Sequence, residues 1–247
     1  MAPEAGRAKT LSVIVPVYNE RHTIRPLLEK VAAVDLGPVG LGMELIVVDD
    51  GSRDGTREIL RELTPVIPFV LDEAPVNQGK GAAIRRGLER VSGEVVIIQD
   101  ADLELDPGEY PALIEPILAG RASVVYGSRF RQSVHGIPRL SLWANRFLTG
   151  LTNLLYGAEL TDMETCYKVF RSEVIKGIHL TCRRFEFEPE VTAKVLRLGH
   201  RIVEVPISFS PRSRAEGKKI NWRDGVRAIL YLLRYRVARR ASLLKHP

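Results

Sequence analysis

The chain has 247 residues, 45% apolar and 27% charged, with a formal net charge of +6. That is ample for one buried core, and the basic balance favours anionic partners such as nucleotides, nucleic acid or an anionic membrane. Cys166 and Cys182 sit in no CxxC or Cys/His cluster, which leaves free buried thiols of a reducing compartment as the expectation.

The N-terminus, MAPEAGRAKT, has no apolar h-region, and no run approaches about 18 consecutive apolar residues. A cytoplasmic protein, or one bound to a membrane from one side only, is therefore expected. Along the chain, short β-branched runs at Leu11–Val15, Glu44–Val48, Pro68–Leu71 and Val95–Gln99 read as buried strands. Helical stretches alternate with them at 23–34, at 56–63 with Ser52 and Asp54 as caps, and at 81–91. This order predicts a mostly parallel sheet with helices on both faces and a ligand site at the carboxyl ends of the strands. Beyond Asp102 the pattern predicts helices over 111–119, 140–155 and 187–198, strands over 122–126 and 201–209, a polar basic turn over 211–220, and a last helix from about Trp222 to Arg240.

Each polar motif of the first half follows a strand. Asp100-Ala101-Asp102 puts two carboxylates on the same side of extended backbone, where they repel unless a cation lies between them. Mg²⁺ or Mn²⁺, a hard ion completed by water and phosphate oxygens, fits that pair, and Glu104 continues the same parity as a further candidate ligand. In isolation the motif reads equally as a solvated acidic loop. Pro16-Val17-Tyr18-Asn19-Glu20 offers a ring to flank a base and a carboxylate for a nucleoside, or a plain strand-to-helix turn. Asp49-Asp50-Gly51-Ser52 offers acceptors for base or ribose, or a helix cap. In Asn77-Gln78-Gly79-Lys80-Gly81, Gly79 permits close backbone approach and Lys80 beside a helix start suits a phosphate or a nucleoside carbonyl. This is not a Walker A loop, and no GxGxxG follows the first strand, which disfavours a dehydrogenase.

Taken together, the order VPVYNE, VVDDGS, NQGKG and DAD resembles the family 2 glycosyltransferases of GT-A fold. Gly127-Ser128-Arg129-Phe130, Thr161-Asp162-Met163-Glu164-Thr165, Phe185-Glu186-Phe187-Glu188 and Glu204-Val205-Pro206-Ile207 narrow the resemblance to the polyprenyl/dolichyl-phosphate mannose and glucose synthases. It covers roughly Leu11 to Lys219. It implies an α/β Rossmann-like GT-A domain over 10–210, after a disordered 1–9, followed by a basic acceptor loop and amphipathic helix over 211–247. It implies that Pro16, Tyr18, Glu20, Asp49, Asp50, Gly79, Lys80 and Ala101 line the nucleotide-sugar site, that Asp100 and Asp102 reach metal and diphosphate, and that Arg129 lies near donor or acceptor phosphate. Where relatives carry Gln after the Asp pair this chain has Glu104. Asp162 stands where the family places a carboxylate base.

The implied reaction is inverting hexose transfer, mannose or glucose, from GDP-mannose or UDP-glucose to a polyprenyl or dolichyl phosphate. A phosphate monoester, with a second pKa near 6, barely needs a base, so Asp162 is left with orienting the acceptor or a basic neighbour. The tail favours the lipid acceptor. From Pro211 onward eleven basic residues face only Glu216 and Asp224. Val226, Ile229, Leu230, Leu233 and Val237 follow helical spacing beside Arg223, Arg227 and Arg234, as in a helix lying in a membrane interface; a helix packed on its own domain or on a dimer partner fits the same spacing. Arg212, Arg214 and Lys218 match the basic loop that related enzymes use near acceptor phosphate. The rivals are a family 2 enzyme acting on a soluble or polysaccharide hydroxyl and, from another class, a non-catalytic nucleotide-sugar or nucleic-acid-binding module. A separate membrane anchor protein is a further possible partner.

Overall fold

In the computed structural model, which describes residues 9–132, 136–211 and 222–245, seven strands form one sheet in the order β3-β2-β1-β4-β6-β5-β7. They are β1 Lys9–Val17, β2 Leu41–Asp49, β3 Val70–Glu73, β4 Val95–Ile98, β5 Val124–Ser128, β6 Lys168–Arg171 and β7 Ile202–Pro206. β6 runs antiparallel to both neighbours, and every other pairing is parallel. The helices are α1 Ile24–Ala32, α2 Thr56–Leu63, α3 Lys80–Arg90, α4 Tyr110–Leu118, α5 Arg139–Tyr156, α6 Ser172–Gly177, α7 Phe187–Arg197 and α8 Trp222–Val237.

The β-branched runs have no polar alternation because both faces of the sheet are covered. Val13, Val15, Val47 and Ile97 point into one core with Leu27, Leu28, Leu113 and Ile114. Their neighbours Ile14, Ile46, Val48 and Ile98 point into the other, with Ile84, Phe170, Phe187 and Val191. The two-residue period of a strand thus sends alternate side chains to opposite layers. Strand β6 and helix α6 were absent from the sequence expectation: β6 is only KVFR, and its hydrophobic pattern is too short to register. β7, at the edge of the sheet, stops at Pro206, and Ile207 N makes the last bond to β5, at Ser128 O (3.1 Å).

A third cluster joins α5, α7 and α8 through Leu148, Leu160, Ala193, Ala228, Leu232 and Tyr235. α8 is therefore packed against the domain along one face. Its other face leaves Trp222, Val226, Leu230, Leu233 and Val237 exposed, and α5 leaves Leu140, Trp143, Phe147 and Leu154 exposed. Tyr156 Oη on α5 donates to Leu232 O on α8 (2.5 Å), which ties the two helices together. Among the described residues no helix is long and apolar enough to cross a membrane. Both cysteines are free thiols.

Candidate active site

The first three strands end in loops that interlock. Asn19 takes φ 52°, a left-handed conformation that asparagine tolerates better than most residues. There its amide donates to Ser52 Oγ (2.9 Å) and its Oδ1 accepts from Arg53 N (2.9 Å). Glu20 N donates to Thr56 Oγ1 (2.9 Å). Thr23 Oγ1 lies within hydrogen-bond distance of both Glu20 Oε2 (2.8 Å) and the carbonyl of Ala101 (2.9 Å), so the turn after β1 is fastened to the one after β4. Tyr18 and Glu20 are half-buried at this junction, and Pro16 is buried within β1.

The two aspartates at the end of β2 are both bonded within the protein. Asp49 is fully buried, paired with Arg57 (2.6 Å) and accepting from Ser52 N. Asp50 accepts from Gln78 N (2.9 Å) and Gly79 N (2.6 Å). Burial raises the Asp50 carboxyl pKa above its ordinary value, against those two amides. The start of α3 is likewise engaged: Gly81 N donates to Arg184 O (3.1 Å) and Ala82 N to Arg183 O (3.0 Å). The amides of Gly79, Gly81 and Ala82 are thus bonded to the protein's own acceptors, and the Lys80 side chain extends from the same turn.

Gly79 has φ 100°, and a Cβ there would collide with the carbonyl oxygen of Arg183. Gly79→Ala is expected to cost at least about 2 kcal/mol from backbone strain and this collision. Gly150→Ala, in open space on α5, is expected to be neutral or stabilising, and denaturant titration of the two variants reads the contrast.

The sequence shows no cation beside Asp100; the fold supplies one from α3. Lys80 Nζ pairs with Asp100 Oδ1 (2.7 Å) and Glu188 Oε1 (2.8 Å) and touches Cys166 Sγ (3.5 Å). Burial opposes the ammonium charge, but Asp100, Cys166 and Glu188 outweigh it, and the Lys80 pKa rises. Asp102 is buried and accepts from Glu104 N (3.1 Å). Among the described residues no group of three or more His, Cys, Asp or Glu gathers as a metal cage. Asp100 and Asp102 therefore offer two hard oxygen donors at the end of β4, a set that suits Mg²⁺ or Mn²⁺ when water and phosphate oxygens complete the shell.

Arg129 and Asp162, expected separately, form one unit. Arg129 Nε and Nη2 donate to the two oxygens of Asp162 (2.7 and 2.8 Å), and the Arg129 amide donates to Oδ2 (3.1 Å). Asn145 of α5 adds a bond to Oδ1 (3.2 Å). The guanidinium lies between the rings of Phe130 (5.6 Å) and Phe209 (5.1 Å). Burial acts to lower the Arg129 pKa, yet the adjacent Asp162 charge leaves it raised.

Sequence reasoning named the Glu204 and Glu186–Glu188 blocks but gave no role to the residues that hold this frame. Glu204 of β7 accepts from the amides of Thr161 (2.9 Å) and Asp162 (3.0 Å) and so sets the turn that presents Asp162. The alternating glutamates of Phe185-Glu186-Phe187-Glu188-Pro189-Glu190 each have their own partner. Glu186 meets Arg227 of α8 (3.3 Å), Glu188 meets Lys80 (2.8 Å), and Glu190 meets Lys194 (2.5 Å) and the Tyr235 hydroxyl (2.8 Å). The signal in sequence was their spacing; Lys194 lies one helical turn from Glu190, but the partners of Glu186 and Glu188 lie too far along the chain to be read from it. Arg212, Arg214 and Lys218 lie outside the described residues. Of the tail's predicted stripe, Val226, Leu230, Leu233 and Val237 are exposed, whereas Ala228, Leu232 and Tyr235 form the packed face.

A family model described as Glycosyl transferase family 2 matches residues 12–178. The chain is 32% identical over 212 residues to a dolichol-phosphate mannosyltransferase of Pyrococcus furiosus, covering 84% of this chain and 58% of that protein. It is 33% identical over 214 residues to an undecaprenyl-phosphate 4-deoxy-4-formamido-L-arabinose transferase of Edwardsiella ictaluri, covering 84% of this chain and 62% of that protein. The chain thus spans about three fifths of the length of these curated relatives. Among solved structures, glucosyl-3-phosphoglycerate synthase of Mycobacterium tuberculosis, in complex with Mn²⁺, UDP and phosphoglyceric acid, superposes with a TM-score of 0.70 at 23% identity, over 93% of this chain and 79% of that one. That likeness is one of fold.

Proposed function

The chain belongs to glycosyl transferase family 2, and on that premise we propose that it transfers a hexose from a nucleotide sugar to a polyprenyl or dolichyl phosphate. The observation that carries the reading is one polar seam. Asp100 and Asp102 at the end of β4 meet Lys80, and the Asp162–Cys166 connection joins Lys80 to Arg129. Its two ends suit a donor diphosphate and an acceptor phosphate. The relatives' names pair lipid phosphates with sugars, and the structural neighbour was crystallised with Mn²⁺ and UDP.

In this reading Tyr18 and Glu20 flank the nucleoside, and Asp49 and Asp50 shape its floor by pinning Arg57 and the 78–79 amides. Asp100 and Asp102 would hold a divalent ion, Mg²⁺ or Mn²⁺, whose charge stabilises the departing diphosphate. Lys80 adds a positive charge on the same side, and Glu188 keeps it in place. An acceptor phosphate oxygen attacks the anomeric carbon as the bond to the diphosphate breaks, with the bonding pair leaving on the diphosphate. No proton need be removed, because the attacking group is largely ionised at neutral pH. Arg129 orients that anion and Asp162 orients Arg129. The outer faces of α5 and α8, with four and five exposed apolar residues respectively, and the arginines around them suit a lipid interface bearing anionic head groups.

The test is a panel of GDP-mannose and UDP-glucose with Mg²⁺ or Mn²⁺, run with and without a polyprenyl phosphate in phosphatidylglycerol vesicles. Labelled lipid is the expected product, and the protein is expected to sediment with those vesicles and to leave them at high salt. Sugar transferred only to water or to soluble hydroxyls would favour the rival acceptor class.

A further inference from the structure

One carboxyl in the seam is used by neither of its charged ends. Glu164 stands two residues after Asp162, which holds Arg129, and two before Cys166, which touches Lys80. The residue is half-buried, yet its Oε1 is enclosed by protein and has no hydrogen-bond partner there. The hydroxyl of the next residue, Thr165 Oγ1, is enclosed and unpartnered as well. Leaving a buried carboxyl oxygen unbonded is costly, and two adjacent cases on one short connection call for a cause.

Poor local packing is not that cause, because the rest of the connection is well satisfied. The amides of Thr161 and Asp162 donate to Glu204, and the carbonyls of Met163 and Thr165 both accept from Lys168 Nζ (2.8 and 2.6 Å). The nearby cations are committed elsewhere: Arg129 to Asp162, and Lys168 to those carbonyls and to the face of Tyr126 at 4.2 Å. The charged groups around Glu164 are Glu188 on α7, Lys168 on β6, Arg129 after β5 and Asp162 on its own segment. Burial first, and then the Glu188 charge, push its carboxyl up to about 7, against Lys168 and Arg129. At neutral pH it can therefore either accept or donate a hydrogen bond.

A phosphate is a poor ligand for this spot, since Asp162 and Glu188 already surround it with negative charge. A neutral group rich in hydroxyls is a good one. We propose that Glu164, which is only half-buried, forms the hydroxyl-binding subsite for the transferred sugar, taking a hydrogen bond from a ring hydroxyl of the hexose while Lys80 faces the diphosphate. This rests on the reading of the ligand as a nucleotide sugar.

The test compares wild type, Glu164→Gln and Glu164→Ala in Mn²⁺ by calorimetry, using UDP with UDP-glucose and GDP with GDP-mannose. All three proteins should bind the nucleoside diphosphate within about twofold of one another. Glu164→Ala should bind the nucleotide sugar about tenfold or more weakly, the loss of one useful hydrogen bond. Thermal stability separates this role from a structural one. The folded pKa of Glu164 lies above its ordinary 4.5, so the carboxyl favours the native state at low pH and penalises it as pH rises through about 7. Both variants should therefore melt above wild type, by a wider margin at pH 8 than at pH 5. A Glu164→Ala variant that keeps full affinity for the nucleotide sugar, or that melts below wild type at pH 8, overturns the subsite. Wild type that binds the diphosphate but gains nothing from the sugar overturns the subsite alone. Wild type that binds neither ligand overturns the nucleotide-sugar reading along with it.

Discussion

Asp102→Ala is expected to lower kcat/KM for transfer by about 10²–10³-fold, and the double variant with Asp100→Ala to fall to background, since each well-placed group that offsets leaving-group charge is worth about that much. The two positions should not behave alike. Asp100 shares Lys80 with Glu188, so Asp100→Asn leaves the lysine one carboxylate and turns its charge more fully toward the diphosphate. Some loss at the metal is then offset. Asp102 is buried and its carboxylate accepts from Glu104 N; its removal also loosens the turn that follows β4. The discriminating measurement is calorimetric binding of the nucleoside diphosphate with and without Mn²⁺. The metal-dependent gain in affinity should vanish in the Asp102 variant and shrink in Asp100→Asn. Transfer at the wild-type rate by the double variant would end the metal-dependent proposal.

Arg129→Ala is the second large effect, and it should appear in both stability and rate. Asp162 is fully buried, and without the guanidinium its charge is left with the Arg129 amide and Asn145. Breaking a buried pair by removing one partner typically costs about 3–5 kcal/mol. Arg129→Lys restores a charge but not two parallel donors, so it should recover part of the stability and little of the rate. Asp162→Asn keeps an acceptor for the Arg129 amide and loses the bidentate clamp. If the acceptor is a phosphate, kcat should drop while its dependence on pH stays unchanged. If the acceptor is a hydroxyl that Asp162 must deprotonate, turnover should disappear. Urea titration gives the stability term, and pH–rate profiles of wild type and Asp162→Asn separate the two chemistries.

The parallel half of the sheet was legible because burial on both faces leaves uninterrupted runs such as LSVIV and ELIVV, and because ligand motifs follow strand ends. The site's residues were legible by type and only partly by role. Asp49 and Asp50 read as nucleoside contacts, and the sequence could not show that they also hold Arg57 and the 78–79 amides. The Asp100–Lys80 pair joins residues on different elements, and the Glu204 bonds to Thr161 and Asp162 span about forty positions. Neither leaves a periodic trace. The tail helix was read as amphipathic, and its spacing could not show that it has two apolar faces, one buried through Leu232 and Tyr235 and the other, with Leu230 and Leu233, open.

Strand β6 sets a constraint on how this chain comes to be made. It sits between β4 and β5 and pairs with both, yet 69 residues separate the end of β4 at Ile98 from its own start at Lys168. At about 5–20 residues per second, translation takes roughly 3–14 seconds to cross that interval. Throughout it the nascent sheet presents the apolar edge VVII without its neighbour, the kind of edge that recruits other strands. Holdase chaperones should therefore engage ribosome-bound chains arrested before about residue 168 and release those arrested well beyond 171.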